Sequence, residues 1–143
     1  GQTTLDKTKI DALRREAEFT RRDSLAMELG LTSSETLNFW PLYDSYRKEI
    51  VTLNTETVGL ILEIIEHYND ISDERAQKIN ERVLFLDSKK VSLRDSYIVK
   101  FTKFISPRKV TKFYVLERIL DNRLSTKIVD AIRLVEPLPY NHE

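Results

Sequence analysis

TSSETLNFWPLYDSYRKEIVTLNTETVGLILEIIEHYND, residues 32–70, decides the fold. Along it Phe39, Tyr43, Tyr46, Ile50, Leu53, Thr57, Leu60, Ile64 and His67 recur at alternating steps of four and three. That spacing is the seam of a helix packed almost parallel to a partner helix. The hydroxyl of Thr32 suits an N-cap, with Glu35 three residues on to complete a capping box, and Asn69-Asp70 closes the segment. At about 1.5 Å per residue such a helix extends some 50 to 55 Å. Pro41 falls inside it, removing an amide donor and crowding the preceding turn, so a bend or local defect is expected over 37–41.

The opening of that segment is written three times. Leu31-Thr32-Ser33-Ser34-Glu35, Ile71-Ser72-Asp73-Glu74-Arg75 and Ile105-Ser106-Pro107-Arg108-Lys109 each give an aliphatic residue, a hydroxyl and then a helix-patterned run. Asp73 and Glu74 place negative charge at a helix start, and Pro107 falls at the first helical position, where a missing N–H is harmless. Four helices are therefore predicted, over about 5–29, 32–68, 72–104 and 106–133. The first carries Ile10, Leu13 and Ala17 among Arg14, Arg15, Arg21 and Arg22 and stops at Gly30. The third carries Ile79, Val83, Leu86, Leu93, Tyr97, Phe101 and Phe104 on one stripe, interrupted by Lys90. The fourth carries Phe113, Leu116, Leu120, Leu124, Ile128, Ala131 and Val135 before Glu136-Pro137-Leu138-Pro139, and the tail 136–143 reads as extended. Apolar residues recur every three or four positions and nowhere every two, so the expected class is all-α, as a single domain over 1–143.

Only three Gly and four Pro occur in the 143 residues, which implies long uninterrupted elements and an elongated object. Helices this long leave apolar surface uncovered by one another, and a second copy of the chain or another protein is the expected cover. Lys and Arg balance Asp and Glu at 23 each, which argues against a dedicated nucleic-acid or membrane-surface protein. The absence of Cys excludes disulfides, thiolate metal sites and Cys catalysis. No apolar run approaches the roughly 20 residues that span a bilayer, so no membrane insertion is expected. Gly1 reads as a residue left by tag removal, with a signal peptide expected ahead of the mature chain.

Reaction chemistry is hard to place on these residues. His67 shares a helix face with Glu63, and His142 lies in the tail. The Glu63/His67 pair is a weak metal candidate, since a real site needs more ligands. No Ser stands in a nucleophile-elbow context and no Gly-rich loop exists to cradle phosphate, so no catalytic residue and no cofactor is assigned. Lys100, Lys103, Arg108, Lys109 and Lys112 interleave with Phe101, Phe104 and Phe113, a pattern open to nucleic-acid binding. The Phe residues fall on inward stripes, however, and no nucleic-acid partner is expected. Trp40, Tyr43 and Tyr46 suit either a binding platform or plain core, and helical spacing favours core.

A family resemblance rests on three groups of residues: Leu31-Thr32 with Glu35; Phe39-Trp40-Pro41-Leu42-Tyr43 with Tyr46; and Ser106-Pro107-Arg108-Lys109 with Phe113-Tyr114 and Glu117. Together these resemble the Spy/CpxP-type periplasmic proteins bearing LTxxQ motifs, and more narrowly their uncharacterised relatives with an LT…FWPLY…Y opening. The resemblance covers 31–135. Glu35 stands where the motif has Gln, and the second copy reads Ile71-Ser72-Asp73-Glu74-Arg75. The resemblance implies a secreted, all-helical, hook- or cradle-like protein that forms a homodimer. It further implies a non-enzymatic, chaperone-like or envelope-stress role with polypeptide clients. The alternative is a metal- or stress-sensing regulatory subunit that docks on a membrane partner.

Overall fold

The computed structural model describes residues 6–135. They form four helices and no strand: α1, Lys7–Leu29; α2, Ser33–His67; α3, Asp73–Phe101; and α4, Pro107–Val135. The all-α, four-helix class expected from the periodicity is the class of the protein. Two compact units divide the chain, one built from α2 and α3 and the other from α1 and α4. The expected extended tail with His142 lies outside the described residues, as does the side chain of Val135.

Polar side chains set the helix ends. Asp6, not anticipated as a cap, accepts the Lys9 amide on its Oδ1 at 3.0 Å and starts α1. Ser72 Oγ accepts the Arg75 amide at 3.1 Å, while Ser106 Oγ receives the Lys109 amide at a longer 3.4 Å. Pro107 is the first residue of α4, and Thr32 immediately precedes α2, with Leu31 half-buried before it and Glu35 in the first turn. Gly30 ends α1 in the left-handed region, φ 59°, a conformation that costs any side-chain-bearing residue energy.

At the bend or local defect expected over 37–41, α2 continues through Pro41. Pro41 and Leu37 both face solvent, so water can take the Leu37 carbonyl that the proline ring leaves without its amide. One expectation about helix extent is corrected: α3 stops at Phe101, short of 104. The amides of Lys103, Phe104 and Ile105 bond back to the carbonyls of Lys100, Phe101 and Phe101, closing a tight turn. This turn breaks the helical phase, so Phe104 leaves the stripe and is half exposed while Ile105 is buried.

In the α2–α3 unit the two helices run antiparallel, joined by the short connection 68–72. Phe39, Tyr43, Tyr46, Ile50 and Thr57 from α2 and Ile79, Leu86, Tyr97 and Phe101 from α3 are buried. Each fully buried large side chain contributes about 2–3 kcal/mol relative to an exposed one. His67, expected at the end of the stripe, is exposed. A strict 3.5-residue spacing drifts by roughly 80° over the four heptads from Phe39 on a straight helix, which carries position 67 off the seam.

The α1–α4 unit is also an antiparallel pair, with Ile10, Leu25 and Leu29 buried in α1 and Val110, Phe113 and Ala131 in α4. Lys109 Nζ donates to the carbonyl of Gly30 at 2.7 Å, so the third boundary motif closes on the end of α1. A cationic group at a helix C-terminus meets both an orphan carbonyl and the negative end of the dipole.

Candidate functional site

The sequence motifs resolve into core, ion pairs and exposed apolar faces. Phe39, Trp40 and Tyr43 form a ring cluster, with centroids 4.8 Å apart for Phe39–Trp40, 5.5 Å for Trp40–Tyr43 and 5.6 Å for Phe39–Tyr43. Phe101 joins it at 5.2 Å from Phe39, and Tyr46 packs against Tyr97 at 5.2 Å. Such edge, tilted and stacked contacts add modestly to area burial. Tyr43 and Tyr46 are buried in the core, whereas Trp40 is half-buried.

The weak metal pair is taken up otherwise. Both oxygens of Glu63 accept from Arg75, at 2.8 Å to Nε and 2.9 Å to Nη2. The Nδ1 atom of His67 lies 3.4 Å from the Asp70 carboxylate. Among the described residues no group of three or more His, Asp or Glu side chains is placed to hold a metal ion. One heptad from Glu63, Glu56 receives the same bidentate contact from Arg82. The arginine hydrogen bonds hold the carboxyls of Glu56 and Glu63 below their ordinary value, and raise Arg75 and Arg82 in turn.

One charged cluster was not anticipated. Arg21, one of the four arginines set among the apolar residues of α1, is 1 % exposed and pairs with Glu117 at 3.1 Å and with Asp121 at 2.7 Å. Glu117 is itself buried, whereas Asp121 reaches solvent. The signal was present: Arg21 follows Ala17 by four and precedes Leu25 by four, which keeps it on their face at 100° per residue. Glu117 likewise follows the buried Phe113 by four, one turn from Tyr114, which is half-buried and accepts from Arg118 on its hydroxyl at 2.8 Å. A charged residue in phase with an apolar stripe is invisible to hydropathy but not to phase.

The basic run divides by role. Lys100 sits over the Tyr97 ring at 4.4 Å, and Lys109 holds Gly30; Phe101 and Phe113 are buried.

Each two-helix unit leaves the faces opposite its seam open, and these faces carry large apolar residues. In the α1–α4 unit Phe19 is 76 % and Met27 83 % exposed, with Val115, Ile119 and Val129 open on α4. In the α2–α3 unit Leu37 is 78 % exposed, and Leu84, Val91 and Val99 recur at helical spacing along α3. No described helix is long and apolar enough to cross a membrane. Compared with protein-family models, with curated proteins and with solved structures, the chain matches none.

Proposed function

We propose that this chain is a non-enzymatic periplasmic protein that binds other polypeptides, in a chaperone-like or envelope-stress role, and that it works as a homodimer. The observation that carries the proposal is the solvent-facing apolar residues of each unit, Phe19 and Met27 in one and Leu37, Leu84 and Val99 in the other, on helices that also bear many charges. Apolar contact is non-directional and asks no particular sequence of a client, while interspersed charge keeps the chain soluble and favours oppositely charged segments. The resemblance of residues 31–135 to the Spy/CpxP-type proteins supports the same class and compartment.

The test is light scattering from a thermally unfolding client protein, with and without this chain at an equimolar ratio. Delayed onset of aggregation is the expected result, and its loss in a Phe19→Ser/Met27→Ser/Leu37→Ser variant of unchanged helicity ties the effect to these faces. An unaltered aggregation curve with the wild-type chain defeats the proposal.

A further inference from the structure

Between α2 and α3 lies an open groove of about 720 Å³, within the size range of ligand sites. Its lining includes the half-buried Leu53 and Leu93 and the buried Tyr97. Lys48 from α2 and Lys89 from α3 line it, one cationic residue from each helix. Lys89 Nζ stands 5.5 Å from the centre of the Phe85 ring, and neither lysine forms a salt bridge among the described residues. Glu49, the only acid of the lining, accepts the Tyr97 hydroxyl.

These groups select a ligand by chemistry. Two ammoniums call for an anion, and the leucines call for an apolar body attached to it. The Glu49 carboxylate opposes a second negative charge, which favours a monoanionic carboxylate over a phosphate dianion. Glu49 also keeps acceptor capacity after its bond from Tyr97, so it suits a ligand with N–H donors beside the anion. We infer that the groove takes the C-terminal end of a polypeptide, with its carboxylate between Lys48 and Lys89 and an apolar last side chain on Leu53 and Leu93. The inference rests on the polypeptide-binding reading above and names the part of the polypeptide that is recognised.

The experiment is calorimetric titration of the full chain with acetyl-Ala-Ala-Leu as the free acid, the same peptide amidated, and decanoate. The acid is expected to bind, and the amide at least about tenfold more weakly, a ratio set by the loss of one charged contact to two lysines. The Lys48→Ala/Lys89→Ala variant, altered only at exposed positions, should weaken the acid by about tenfold or more, and added salt should weaken it in the wild type. No binding of the acid, equal binding of acid and amide, or an unaffected double variant each overturns the inference. Tighter binding of decanoate than of the acid peptide also overturns it, by assigning the groove to free apolar carboxylates. A chain that suppresses client aggregation but does not distinguish acid from amide keeps the general proposal and loses this one. A chain that binds the acid peptide and suppresses nothing does the reverse.

Discussion

Replacement of Glu117 by Leu probes the buried charges that join α1 to α4. Arg21 is almost fully enclosed, with Glu117 at 3.1 Å and the half-solvated Asp121 at 2.7 Å. Removal of one partner from a buried ion pair costs about 3–5 kcal/mol, because the remaining charge has lost water and gained nothing in its place. Asp121 still faces Arg21 in the Glu117→Leu chain, which puts the expected loss at the lower end, about 3 kcal/mol. Arg21→Met strands a buried carboxylate and should cost at least as much. The double variant Arg21→Met/Glu117→Leu meets as two apolar side chains of similar volume, so its expected cost is below about 1 kcal/mol, against about 6 kcal/mol or more for the two singles added. Asp121→Asn, at the solvent side, should cost about 1 kcal/mol or less. Urea unfolding followed by far-UV circular dichroism measures all four. A Glu117→Leu loss under about 1 kcal/mol, or a double variant as unstable as the sum of the singles, refutes the argument that burial dominates here.

Other perturbations follow from the same geometry. Gly59 lies in α2 with open space around its Cα, so Gly59→Ala should stabilise by about 0.5–1 kcal/mol; Gly30→Ala, equally free of clashes but at φ 59°, should destabilise by about 1 kcal/mol, both read from urea midpoints. Ser72→Ala should cost about 1 kcal/mol and Ser106→Ala clearly less, since the Ser106 bond is the longer; equal losses on thermal melting would contradict this. Glu56 and Glu63 ionise more readily folded than unfolded, so their ion pairs stabilise fully above the ordinary value of 4.5 and fade as pH falls through the lowered folded values. Melting temperature against pH should therefore lose part of its acid-side slope in Glu56→Gln/Glu63→Gln. Tyr97 is pushed up to about 12, first by burial and then by its bond to Glu49, so its contribution is complete below pH 10 and is lost as pH climbs from there through 12. Ultraviolet titration should find the Tyr97 tyrosinate late, shifted downward in Glu49→Gln.

Much of this architecture was legible because four-and-three spacing survives packing: Phe39, Tyr43, Tyr46 and Ile50 are buried as their spacing dictates, and Gly30 and Ser72 end and begin helices where hydroxyl and glycine chemistry places them. The misses have physical causes. Arg21 hid because polarity was weighed above phase, and a partner 96 residues away in sequence, Glu117, makes its burial tolerable. Phe104 was assigned inward because nothing in its own composition announces the turn that closes on the Phe101 carbonyl. Glu63 looked available to a metal only while Arg75, on the next helix, was out of view. The exposed Met27 and Leu37 were foreseen as a class, from rods too long to cover each other, but not as individuals. The groove between α2 and α3 was not foreseen, since no local pattern reports that Lys48 and Lys89 line one space.

Glu49, Glu56 and Glu63 recur every seventh residue, and Lys89, Arg82 and Arg75 recur at the same interval on α3, where Arg82 and Arg75 hold Glu56 and Glu63. The ladder repeats itself, and a slide of one heptad would let Arg75 grip Glu56 and Arg82 grip Glu49 with equal chemistry. Contacts that do not repeat break the tie: the Tyr97 hydroxyl bonds Glu49, and the Tyr97 and Phe101 rings pack on Tyr46 and Phe39. Alignment of the two rods is in this sense a vote cast far from the turn that joins them.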